Sequence, residues 1–201
     1  MLFGNVQSGK TAQMLGAIAR FADEGYMIFL LLTSDNVDLQ RQTFLRTQSS
    51  LIDFNVLSER DDLKFLQDGL RKPTVIVLKK NGRILKKWRE ILLSCQSCKG
   101  KFLMIFDDEG DNASLNTLVN KNRQSTINKN LDAIKDSASS CVYFEVTATP
   151  QSLILQSEIS GWHPKFVNYF KPGKGYLGGD FFYADPEPFC IKFTKEMNLM
   201  M

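Results

Sequence analysis

Two short stretches hold the residue types that phosphate chemistry needs. GNVQSGKT, residues 4–11, fits the pattern G-x-x-x-x-G-K-[ST] at every fixed position. Gly4 and Gly9 let the backbone turn where a side chain would obstruct it. Successive amides, through Gln7, Ser8, Gly9, Lys10 and Thr11, then point into one concavity that grips phosphate oxygens. A helix starting near Lys10 turns its positive end toward the same anion. Lys10 reaches the β- and γ-phosphates, and the Thr11 hydroxyl sits on Mg²⁺. The bland account of these residues is a Gly-Ser turn between a strand and a helix.

LMIFDDEGD, residues 103–111, is an apolar strand ending in carboxylates. Beside a phosphate loop, such an end brings one acid to the metal and another to the attacking water. Asp108 takes the metal role and Glu109 the general-base role, with Asp107 the alternative metal acid. Side chains alternate along a strand, so Asp107 and Asp108 face opposite ways. VTATP, residues 146–150, closes the next apolar strand. Thr147 and Thr149 lie there on the ligand side of an open sheet, as candidates to bond Asp108 or Asp111 and sense the γ-phosphate. Standing alone, the triplet reads as a turn before Pro150.

The elements that must position these residues are legible as a pattern. Continuous apolar runs at 26–33, 51–57, 74–78, 102–106 and 141–146 predict strands buried on both faces, hence a parallel sheet under helices. Helices are predicted over 10–23, 61–70, 82–93 and 124–137; in the first, Met14, Ile18 and Phe21 share a stripe. Strand and helix in repeated alternation give a doubly wound α/β domain with right-handed crossovers. After Pro150 the helical period disappears and Gly, Pro and aromatics rise. Residues 1–150 therefore read as one unit and 151–201 as an extension on it. Only Met1, Leu2 and Phe3 precede Gly4, so the first strand is expected to be cut short and the chain to be a piece of a longer protein.

Composition narrows the classes further. The 201 residues carry a net charge of +3, which does not by itself announce a nucleic-acid binder. The longest apolar run, YMIFLLL, is far short of the roughly 20 residues of a membrane span, and no secretory signal is visible. Four cysteines do not make a disulfide scaffold, so a cytoplasmic, reducing setting is expected. His163 is the single histidine, which excludes chemistry needing two in one chain. Cys95-x-x-Cys98 is half a zinc site, which only Cys141 and Cys190 could complete.

The three motifs, in this order, resemble the first motor lobe of superfamily-two helicases. There the acidic motif reads Asp-Glu-x-Asp, matched by Asp108, Glu109, Gly110 and Asp111. The third motif is Ser/Thr-Ala-Thr, matched by Thr147, Ala148 and Thr149. More narrowly, GNVQSGKTAQM, LTSDNVDLQRQT, DDEGDNASLNT and TATP are similar to the Z-one domain family of bacterial and phage proteins, which carries an endonuclease label. PGKGYLGGDFF is similar to that family's segment after the third motif, so the resemblance spans nearly the whole chain. Gly110 departs from the usual Ala of the acidic motif.

The resemblance implies an α/β, three-layer, RecA-like P-loop NTPase fold with a mostly parallel sheet. Residues 1–150 are then a nucleotide-binding lobe, and 151–201 lead toward a second lobe that this chain does not contain. It implies ATP and Mg²⁺ as ligands, and DNA and a second lobe or nuclease partner in the full protein. In that class the second lobe supplies an arginine finger, worth about 10³–10⁵ in rate where measured. Nucleotide binding with slow or absent hydrolysis is therefore expected of the 201 residues alone. A nucleotide-sensing module that switches shape without translocating is the rival reading. A small-molecule kinase is disfavoured, because the only basic cluster precedes the acidic strand.

KKNGRILKKWR, residues 79–89, holds six basic residues and Trp88. In the helicase class this region and NVDLQRQT touch the DNA backbone, which makes Arg41, Gln42, Lys79, Lys80 and Arg83 the nucleic-acid candidates. The competing account is a solvated helix face with Ile84, Leu85 and Trp88 turned inward. No nuclease constellation emerges. His163-Pro164-Lys165 begins a phospholipase-D-type pattern, but Phe170 stands where its Asp belongs. Asp53 with Asp62-Leu63-Lys64 is better explained by a helix start.

Overall fold

The computed structural model of the chain describes residues 1–68, 70–110, 125–154, 163–185 and 188. In chain order the strands are β1 (Leu2–Phe3), β2 (Ile28–Thr33), β3 (Asn55–Ser58), β4 (Thr74–Lys79), β5 (Phe102–Asp108), β6 (Ser140–Thr147) and β7 (Asn168–Tyr169). The helices are α1 (Lys10–Asp23), α2 (Val37–Ser50), α3 (Asp62–Asp68), α4 (Gly82–Ser94), α5 (Thr126–Ser137), α6 (Gln151–Ile154) and α7 (Gly179–Ala184). The strands form one seven-stranded sheet in the order β3-β4-β2-β5-β6-β1-β7. Every pairing in it is parallel.

Alternation along the central strands divides the core in two. Ile28, Leu30 and Leu32 of β2 face Phe65 of α3, Leu85 and Trp88 of α4, and Leu131 and Ile134 of α5. Phe29 and Leu31 face the other way, toward Met14, Leu15 and Ile18 of α1, with Phe44 of α2 beside them. The result is three layers. All six residues of β2 are buried, which is why its sequence shows no polar alternation.

α2 is an element that periodicity did not announce. Thr47 is its one fully buried residue, so VDLQRQTFLRTQSS carries almost no apolar stripe. Its start was nonetheless written locally: Asn36 Oδ1 accepts from the amides of Asp38 at 2.8 Å and Leu39 at 3.1 Å. The helix consumes Leu51 as its C-cap, so the strand expected over 51–57 begins only at Asn55.

Chain beyond Pro150 contributes to the same sheet. β7 pairs with β1, and the Phe170 amide donates to the Phe3 carbonyl at 3.1 Å. The Phe3 and Tyr169 rings lie 4.9 Å apart. Among the described residues, no helix is long and apolar enough to cross a membrane.

Candidate functional site

A wholly parallel sheet sends all its strand ends out on one side. The 4–11 loop leaves β1, the Asp108-Glu109 pair leaves β5, and Thr147 ends β6, which lies between them. Registers place Phe3 beside Thr147 and Asp108 beside Val146. At about 4.8 Å per strand, one intervening strand sets the loop strand and the acid strand about 10 Å apart. That gap accommodates a phosphate and a hydrated cation.

Thr11, Asp108 and Glu109 line one cleft of about 110 Å³, together with Thr33, Ser34, Gln42 and Arg46. Three residues singled out for phosphate and metal chemistry are thus brought together from two separate motifs. Thr33, Ser34 and Arg46 were missed. Gln42 and Arg46 reach the cleft because they are four apart on α2, and without that helix their spacing carries no meaning.

Gly9 has φ 92°, a left-handed conformation that favours glycine. Gly4 is needed for a different reason: a Cβ there would meet the Phe170 ring at 2.5 Å. Lys10 Nζ donates to the Asn5 carbonyl at 2.9 Å and to the Gly4 carbonyl at 3.5 Å. Its ammonium is therefore held over the loop, and it acts electrostatically on Asp108.

Alternation separates the two aspartates as expected. Asp107 is fully buried, paired with Lys80 Nζ at 2.9 Å and accepting from the Tyr143 hydroxyl. Asp107 is therefore a structural acid, away from the cleft that Asp108 lines. Burial, then the neighbouring Glu109 carboxylate, push the Asp108 carboxyl up to about 6, while Lys80 and Lys10 pull the other way. Glu109 is exposed and holds φ 57°, a left-handed conformation uncommon outside glycine. Lys80 Nζ fixes that turn by donating to the carbonyls of Asp108 at 2.9 Å and Glu109 at 2.6 Å. The next residue, Gly110, is closely confined: a Cβ there would lie 3.1 Å from Glu145 Cβ, so an alanine at this position needs a local shift.

Thr147 is buried, and its Oγ1 accepts from the Thr149 amide at 2.9 Å. Asp111 lies outside the described residues, as does Cys190. Burial raises the thiol pKa of Cys98, and raises that of Cys141 to about 11.

The basic candidates disperse. Lys80 is 1% exposed, so its expected place on a DNA-facing surface is corrected: Asp107 and two backbone carbonyls consume it. Lys79 pairs with Glu59 at 3.6 Å. Gln42 belongs to the cleft. Arg41 and Arg83 are exposed. Trp88 and Leu85 are buried beneath the basic face of α4, so that helix packs as a solvated-face helix does.

The residues present fit a magnesium-bound triphosphate. Among the described residues the Ser8 hydroxyl oxygen is buried with no hydrogen-bond partner, a donor that an anion in the loop would satisfy. Thr11 and Asp108 supply hard oxygens of the kind magnesium prefers, with Glu109 beside them. Comparison with family models and with curated proteins returned no match.

Proposed function

We propose that the chain is the ATP-binding first lobe of a helicase-like, DNA-acting enzyme of the Z-one type, with a P-loop NTPase site at residues 4–11 and 108–109. The observation that carries this reading is the shared cleft of Thr11, Asp108 and Glu109. The loop amides, Ser8 and Lys10 hold the phosphates. Thr11 and Asp108 hold Mg²⁺, which when bound draws charge from the phosphate oxygens. Glu109 orients the attacking water and takes its proton. Arg46 adds a cation to the wall that carries the two acids.

The test is equilibrium binding of ATP with and without Mg²⁺. Lys10→Ala is expected to weaken binding by about tenfold to a hundredfold, since charge-assisted bonds are each worth roughly 1.5–3 kcal/mol. Asp108→Asn should remove the magnesium dependence, while Glu109→Gln should leave affinity nearly unchanged. Unaltered ATP affinity in Lys10→Ala would end the reading.

For DNA, the exposed cations Arg41 and Arg83 are the proposed backbone contacts. Binding by the chain should weaken steeply with salt, and Arg83→Glu should lower the slope of log K against log salt by roughly one. An unchanged slope would leave α4 as an ordinary solvated face.

A further inference from the structure

A second, larger cleft of about 860 Å³ opens beside the loop, on the side away from the acids. Asn5 and Val6 of the loop form one wall, and Tyr169, Lys171, Tyr176 and Phe181 form much of the rest. The sheet order explains the placement: β6 and β5 lie on one side of β1, and β7, which carries Tyr169, lies on the other. The aromatic wall is tied to the loop itself. The Tyr176 hydroxyl donates to the Val6 carbonyl at 2.6 Å, and the Tyr169 hydroxyl donates to Asn5 Oδ1 at 3.2 Å. Yet Tyr169 and Phe181 remain 42% and 49% exposed, so aromatic surface is left facing the cleft mouth rather than spent in the core.

We propose that this aromatic cleft receives the base and ribose of the nucleoside triphosphate whose phosphates the adjoining loop holds; the inference rests on the triphosphate reading of that loop. One ligand class has the matching shape. It has an anionic end for the cleft of Thr11, Asp108 and Glu109, and a flat, mostly apolar end for an aromatic wall. The volume lies in the range of roughly 300–1,000 Å³ that small-molecule sites occupy. Among the described residues Lys171 is the one charged side chain on the lining, a cation available to the π face or the phosphates of such a ligand. Base reading then comes from chain after the third motif.

The experiment compares ATP with inorganic tripolyphosphate, which has the phosphates and no base, on the 201-residue chain with Mg²⁺. Phe181→Ala lies on the exposed face of a short helix, and Tyr169→Phe serves as the conservative control beside Tyr169→Ser. Base–aromatic stacking predicts a loss of about tenfold in ATP affinity for Phe181→Ala and Tyr169→Ser, less than about twofold for Tyr169→Phe, and no change for tripolyphosphate in any variant. Equal losses for both ligands, or none for either, would overturn the base cleft while leaving the phosphate loop standing. Failure of the unaltered chain to bind either ligand would overturn both readings. Variants that lose single-stranded oligonucleotide binding but keep ATP affinity would also overturn it, making the wall a stacking surface for nucleic acid.

Discussion

Lys80→Met is expected to cost about 3–5 kcal/mol of folding stability, the range for breaking a buried ion pair by removing one partner. The Lys80 ammonium is ion-paired with Asp107 Oδ1 at 2.9 Å and donates to the Asp108 carbonyl at 2.9 Å and the Glu109 carbonyl at 2.6 Å. Both side chains of the pair are 0% exposed. Removal strands a carboxylate in the core and frees two carbonyls that hold the acid turn. Urea unfolding followed by circular dichroism reads the loss directly. The double variant Lys80→Met/Asp107→Leu should recover part of it, because the orphaned charge is gone, but not all, because the two carbonyls stay unpaired. Lys79→Met is the contrast. Its pair with Glu59 spans 3.6 Å at 16% side-chain exposure on each partner, and a loss under about 1 kcal/mol is expected. A loss that small for Lys80→Met would mean that its side chain reaches solvent, and would return it to the DNA-contact candidates.

The second large effect is on the pH dependence of stability. Glu145 is 5% exposed. Burial raises its carboxyl to about 7; Asp107 adds to the rise, while the Met1 ammonium and Lys135 oppose it. Burial and Glu109 raise Asp108 to about 6. Both groups hold a proton more tightly in the folded chain than in the unfolded one. Their effect on stability is therefore neutral below the unfolded values near pH 4, becomes a penalty that grows as pH rises from there, and levels off above the folded values of about 6 and about 7. Between pH 4.5 and 8 the penalty from Glu145 alone is of the order of 3 kcal/mol. Glu145→Gln, which cannot ionise, should be more stable than the unaltered chain at pH 8 and should remove the larger part of the slope between pH 5.5 and 8.0, Asp108 supplying the rest. Urea midpoints at pH 5.5 and 8.0 for the two proteins decide it. Parallel pH profiles would show that Glu145 is hydrated and titrates normally.

Much of the layout was legible in the chain. The start and end of α1, the strands β2, β4, β5 and β6 and the ordering of the three motifs follow from apolar runs and from glycine and lysine spacing, which are local properties. α2 was not, because Thr47 is its one fully buried residue and its sequence carries almost no apolar stripe. Lys80 misled for the same reason. Within KKNGRILKKWR it is one cation among six, and nothing nearby in sequence distinguishes it. Asp107, 27 residues on, is what makes it a core residue, and that pairing exists only once β4 and β5 flank β2.

Local chemistry was enough to specify an α/β chain with a glycine-rich loop at one strand end and an acid pair at another, because backbone preference and side-chain alternation act over a few residues. Folding supplied the rest: that the Thr11 hydroxyl and the Asp108 and Glu109 carboxylates share a cleft, that Asp107 faces Lys80, and that Phe170 and Tyr176 close on the loop from more than 160 residues away. Those contacts depend on strand order, and strand order is settled by which faces can be buried together, a property of the assembled sheet that no single segment contains.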